Sequence, residues 1–116
     1  MDNLCKGFNP DYSEDAPSLE QVSGQPGDLL LEFGAPWCMH CQAGARAVQA
    51  AMADYPQLPH LKLYDGKGKP LGRAFKVKLW PTLILLKDGQ EVARRVRPVM
   101  AEEVKELLAQ LDSRGQ

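Results

Sequence analysis

Leu29-Leu30-Leu31-Glu32-Phe33-Gly34-Ala35-Pro36-Trp37-Cys38-Met39-His40-Cys41 decides how this chain folds. Leu29 to Phe33 is too apolar to lie at a surface, so it predicts a central strand covered on both faces. The Ala-rich stretch from Ala43 to Ala53 predicts a helix directly after the cysteines. A CxxC pair at such a strand-to-helix junction is a redox signature. Two thiols one helical turn apart can close a disulfide and reopen it. The first sulfur also sits where the free N–H groups of a helix start concentrate partial positive charge. That field favours thiolate, which is the nucleophilic form.

Outward from this stretch, the pattern alternates. The helix after Cys38 is expected to run to about Tyr55, ended by Pro56 and Pro59. Leu61–Tyr64 predicts a strand, Leu71–Val77 a short helix, and Thr82–Leu86 a strand rich in Leu and Ile. Asp88-Gly89 is a hairpin signal joining that strand to Glu91–Val96. Val104, Leu107, Leu108 and Leu111 repeat at i, i+3, i+4 and i+7, the stripe of an amphipathic helix. On the N-terminal side, Ser18 is a candidate N-cap for a short helix to Val22. Residues 1–17, with Gly7, Pro10 and Pro17, read as an irregular lead-in to a domain spanning 18–116. A right-handed crossover through the Cys38 helix makes the first two strands parallel, and the hairpin adds an antiparallel pair. The expected fold class is α/β, a mixed central sheet with helices on both faces.

At 116 residues the chain fits one domain. Its net charge of −1 is unevenly spread. Residues 1–28 carry one Lys against six acids, whereas residues 62–97 carry ten Lys and Arg against three. The basic stretch reads as a solvated face or as a surface that steers acidic protein partners. No nucleic-acid motif accompanies it, and nucleic-acid binding is not expected. No apolar run approaches the roughly 20 residues of a membrane span, so no membrane partner is expected. Residues 1–27 lack the apolar core of a secretory signal, and a cytoplasmic location is expected. A monomer is expected. The chain has three cysteines, which leaves Cys5 over as a free thiol.

The chain resembles the thioredoxin family over roughly residues 18–112. The resemblance rests on Leu31-Glu32-Phe33-Gly34-Ala35-Pro36-Trp37-Cys38, on Trp80-Pro81-Thr82, on the turn Lys87-Asp88-Gly89 and on the closing amphipathic helix. It implies a thioredoxin fold and a thiol–disulfide oxidoreductase working on protein disulfides. Cys38 would be the exposed nucleophile and Cys41 the resolving thiol. Pro81 would be cis, and Trp80 would offer backbone groups to an extended substrate strand, while Trp37 would shape the surface beside Cys38. No cofactor beyond the Cys38–Cys41 disulfide is implied. Disulfide-containing proteins would be the substrates, and thioredoxin reductase or glutathione the electron source.

Several positions depart from that family's pattern. Met39-His40 replaces Gly-Pro between the cysteines, with Met39 an apolar contact for substrate. His40 resembles the disulfide isomerases and periplasmic oxidases. An imidazole there can donate to the thiolate or carry positive charge, and either makes the disulfide more oxidising. Glu32 stands where many relatives carry a buried Asp. A carboxyl in an apolar site is expected to have a raised pKa and to shuttle the proton of Cys41, with Lys62 nearby favouring its anion. Arg46 replaces a kinking Pro and reads as a surface residue. Arg97 replaces a frequent Gly and is expected to narrow the substrate groove. His60 reads as a surface residue. Two other functions stay open at this point: a redox-inactive binding or chaperone-like module, and a metal site on the two thiolates, for which one CxxC supplies too few ligands.

Overall fold

The computed structural model describes residues 4–114. In chain order the elements are α1 (Leu19–Ser23), β1 (Asp28–Gly34), α2 (Met39–Met52), β2 (His60–Tyr64), α3 (Pro70–Ala74), β3 (Thr82–Lys87), β4 (Gln90–Val96) and α4 (Ala101–Arg114). The strands lie in the order β2-β1-β3-β4. β1 runs parallel to β2 and antiparallel to β3, and β3 pairs antiparallel with β4. The apolar β1 is therefore central, as its composition demands.

Alternation along the strands divides the core in two. Leu30, Leu83 and Leu85 point to the face packed by Val48, Met52, Val104 and Leu108 of α2 and α4. Leu29, Leu31, Phe33, Ile84 and Leu86 point to the other face, with Val22 of α1 and Leu71 of α3. Leu30 is fully buried, and truncating such a residue to Ala costs about 2–5 kcal/mol. Glu32 lies two residues beyond Leu30 and so faces the start of α2, a geometry that the period of two dictates.

Local signals explain the element ends. Ser18 Oγ accepts the Gln21 N–H at 3.1 Å while Gln21 Oε1 accepts the Ser18 N–H at 2.9 Å, a complete capping box. Asp88 and Gly89 both have positive φ, the geometry of the tightest hairpin turn. α2 stops at Met52 and α3 at Ala74, each about three residues short of the sequence expectation. At α3 the reason is visible: Lys76 has φ of 59°, which no continuing helix accepts.

Among its described residues the lead-in has no helix or regular strand, yet residues 4–17 are not a loose tail. The Gly7 N–H donates to Leu58 O, the Ser13 N–H to Lys62 O, and the Tyr64 N–H to Ser13 O, at 2.8–3.0 Å. These bonds lay the lead-in along the outer edge of β2. An Asx turn, with the Asp11 N–H donating to Asn9 Oδ1 at 3.0 Å, then delivers Tyr12 inward.

Candidate active site

Cys38 is the N-cap of α2, and its Sγ accepts the Cys41 N–H at 3.2 Å. The helix N-terminus thus aims one of its free backbone donors at this sulfur. Cys38 is half-buried and Cys41 buried, and both are free thiols. This asymmetry separates an accessible thiol from a guarded one. Burial pushes the Cys41 thiol up to about 11, the bond with Cys38 adds to the rise, and bonds from Tyr12 and the Ala35 backbone oppose it.

Exposed apolar side chains flank Cys38 in the chain and sit on the loops of Pro81 and Pro98 that meet Gly44 of α2. Trp37 is 67% exposed and packs tilted against Tyr64, with ring centroids 5.5 Å apart; Met39, Leu79, Val99 and Met100 are exposed as well. The Trp80–Pro81 peptide is cis. Trp80 Nε1 donates to Asp65 Oδ2 at 2.9 Å, which fixes the indole. Gly44 of α2 touches this region: a Cβ there would meet Pro98 O at 2.8 Å and Pro81 Cγ at 3.9 Å. Arg97, with φ of 50°, donates from Nε to Trp80 O at 2.9 Å. Its side chain therefore occupies the Trp80 carbonyl. His40 is exposed, and among the described residues its imidazole makes no hydrogen bond or ion pair. Arg46 is exposed on α2 and remote from this chemistry.

Beneath Cys41 is a polar floor. Glu32 is 3% exposed and accepts two bonds: Tyr12 Oη donates to Oε2 at 2.5 Å, and His60 Nε2 pairs with Oε1 at 2.9 Å. The Asn9 backbone N–H points at His60 Nδ1 from 3.0 Å, and a backbone N–H can only donate. Nδ1 is therefore the acceptor, the ring proton sits on Nε2, and Nε2 donates to Glu32. Lys62 is registered opposite Glu32 across β1 and β2. Its Nζ donates to Pro10 O at 3.0 Å and lies 4.3 Å from the Tyr12 ring centroid.

The floor corrects two expectations. His60 is not a surface residue; it is buried because β2 turns it toward α2, where Glu32 and Asn9 satisfy both ring nitrogens. Nor is the Glu32 carboxyl raised. Burial alone pushes it up, but the bonds from His60 and Tyr12 and the nearby Lys62 cation outweigh that and hold it below its ordinary value. Tyr12 was not visible in the sequence as a site residue. Its phenol is held far above its ordinary value by burial and by the facing Glu32 carboxylate, so it stays a neutral donor.

Gly34 joins floor and thiol. A Cβ there would lie 2.5 Å from Cys41 Sγ and 2.8 Å from Tyr12 Oη. Only a glycine at the end of β1 leaves room for both atoms.

The thioredoxin family pattern matches residues 14–110. This chain belongs to the thioredoxin family. Thioredoxin 2 of Pseudomonas aeruginosa PAO1, solved in its reduced form, is 43% identical, covers 99% of this chain and 100% of its own, and superposes with a TM-score of 0.81. The thioredoxin of Chlamydia muridarum is 41% identical over 71 residues, 60% of this chain and 69% of that one. The protein disulfide-isomerase of Hordeum vulgare is 32% identical over 100 residues, 80% of this chain but 20% of that one. The family, with the paired thiols on the helix start, makes the protein a thiol–disulfide oxidoreductase that acts on disulfide-containing proteins.

Proposed function

We propose that the protein is a cytoplasmic, monomeric reductase of protein disulfides with a more oxidising potential than a typical thioredoxin. Cys38 attacks a substrate disulfide, forming a mixed disulfide and releasing one substrate thiolate. Cys41 then attacks Cys38 Sγ; the Cys38–Cys41 bond forms, and the second substrate thiolate leaves and takes a proton from water. The substrate gains two electrons and the protein dithiol loses two. Thioredoxin reductase or glutathione returns them, and no cofactor besides the redox disulfide takes part.

The observation that carries this reading is the half-buried Cys38 at the N-cap of α2, flanked by exposed apolar side chains, with the buried Cys41 one turn behind it. Trp37, Met39 and Trp80 supply contact area, Pro81 flanks the α2 start, and Arg97 guards the strand-binding carbonyl. Glu32 receives the proton of Cys41. His40 makes no bond to Cys38, so its influence on potential runs through charge alone.

The test is the reduction potential of the Cys38–Cys41 pair, titrated in glutathione buffers with Cys5→Ser. The expected value lies between roughly −270 mV, typical of a thioredoxin, and roughly −120 mV, typical of a periplasmic disulfide-introducing oxidase. It falls toward the lower figure in His40→Pro. A wild-type value at the thioredoxin end sinks the oxidising part of the proposal.

A further inference from the structure

Glu32 is not beside Cys41; Tyr12 stands between them. The Tyr12 hydroxyl donates to Glu32 Oε2, and it shares with Cys41 Sγ the small space over Gly34. A Cβ on Gly34 would lie 2.5 Å from Cys41 Sγ and 2.8 Å from Tyr12 Oη, a position that brings the two side chains together. They also line one cavity of about 180 Å³, together with Pro10, Gln42 and Lys62, which is large enough to admit water. The groups facing these atoms are Cys38 at the N-cap of α2, Cys41 within it, Glu32 from β1, His60 and Lys62 from β2, and Asp11 in the lead-in.

We infer that Tyr12 is a further catalytic residue, which carries the Cys41 proton to Glu32 during resolution of the mixed disulfide. The inference rests on the redox reading above. The Cys41 S–H proton passes to Tyr12 Oη as the Tyr12 O–H proton passes to Glu32 Oε2. The Cys41 electron pair forms the bond to Cys38 Sγ, and the Cys38–substrate bond breaks with its pair on the leaving sulfur. Glu32 ends protonated, Tyr12 ends neutral, and the proton later returns through Tyr12 to water in the cavity.

Magnitudes favour a concerted path. A carboxylate below its ordinary value is a far weaker base than a thiolate with a pKa of about 11, so free thiolate does not accumulate by transfer to Glu32. As Cys41 Sγ bonds to Cys38, however, its proton becomes strongly acidic, and a weak base then suffices. The phenol's resistance to ionisation excludes a tyrosinate intermediate, so both protons move together. His60 fits this scheme as a positioning residue. Its Nε2–H holds Glu32 Oε1, leaving Oε2 turned to Tyr12.

The experiment uses the full chain with Cys5→Ser and the chromogenic disulfide DTNB. The first thionitrobenzoate reports attack by Cys38, and the second reports intramolecular attack by Cys41. In Tyr12→Phe the first phase is unchanged. The second phase slows at least about tenfold at neutral pH. Its rate in this variant climbs with pH, because only thiolate formed by solvent reacts, so the deficit shrinks toward alkaline pH. A second phase at the wild-type rate, or a deficit constant with pH, overturns the inference. Should Tyr12→Phe fold poorly, 3-fluorotyrosine at position 12 keeps ring and hydroxyl. An altered second phase supports the relay, and an unaltered one overturns it. If the unsubstituted protein itself releases no second thionitrobenzoate, the redox reading fails, an outcome distinct from failure of Tyr12 alone.

Discussion

The two sides of the Cys38–Cys41 pair are built from opposite materials. The outer side is an exposed, apolar rim of Trp37, Met39, Leu79, Val99 and Met100, with few polar bonds. The inner side is a hydrogen-bonded polar floor of half-buried Tyr12 and buried Glu32, His60 and Lys62. A rim of large side chains suits contact with many partners, because apolar area is undemanding about sequence. A floor in a low-dielectric site suits proton handling, because each donor and acceptor there has a defined partner. One fold thus keeps recognition loose and acid–base chemistry tight, with two sulfurs as the boundary.

The boundary itself breaks most easily. Cys38→Ser removes the nucleophile and should lower insulin-disulfide reduction by about a thousandfold or more, while Cys5→Ser leaves it unchanged. Gly34→Ala attacks the junction of thiol and floor. The new Cβ drives into Cys41 Sγ and Tyr12 Oη, and urea melts should show a loss of about 1–3 kcal/mol with slowed resolution.

Glu32→Gln separates the two sides, because it alters the floor and leaves the rim intact. The folded carboxyl lies below its ordinary value, so its stabilisation is present above the ordinary carboxylate range near 4.5 and is lost as pH falls through the folded value. Urea midpoints measured from neutral to acid pH should fall less steeply in Glu32→Gln than in the unsubstituted protein. At neutral pH the variant should be about 1–3 kcal/mol less stable. A parallel pair of curves would show that Glu32 is not ionised in the fold.

On the rim the expected effects are smaller. Trp80→Phe loses the 2.9 Å bond to Asp65 and should cost about 1 kcal/mol, with a raised KM and little change in resolution. Arg97→Gly frees the Trp80 carbonyl and suits the positive φ at that position. It should raise kcat/KM for an extended disulfide peptide about twofold to fivefold, the equivalent of one weak hydrogen bond. An unchanged kcat/KM would mean that the guanidinium does not compete with substrate.

The part of the rim beside the cysteines was legible in the sequence because it lies in short motifs, whereas Leu79, Val99 and Met100 were not. Trp37 to Cys41 is one stretch, and Trp80-Pro81-Thr82 is another. The central place of β1, its parallel partner β2 and the β3–β4 hairpin followed from apolar runs and turn residues, whereas the β1–β3 pairing did not. The floor was only half legible. Glu32 and Lys62 stood out as charges within apolar strands, but the direction of the Glu32 shift depends on His60 and Tyr12, which arrive from β2 and from the lead-in. Tyr12 lies in a polar stretch without periodicity, and its inward turn is set by pairing to β2 some 50 residues away in sequence. A buried His looks no different in sequence from an exposed one. One signal was available: His60 and Lys62 alternate with Leu61 and Leu63, so both must share the face of Leu30 and Glu32.

The lead-in carries a consequence of another kind. An uncovered strand at the margin of a sheet is a template for joining another chain. β4 meets this hazard with the charges of Glu91, Arg94 and Arg95, whereas β2 has Gly7 and Ser13 of the lead-in bonded along it. The same few residues that bring Tyr12 to the thiols therefore also shield one side of the sheet from self-association. Cutting them away would yield a protein that is at once slower to release its substrates and more prone to clump, two faults with a single origin.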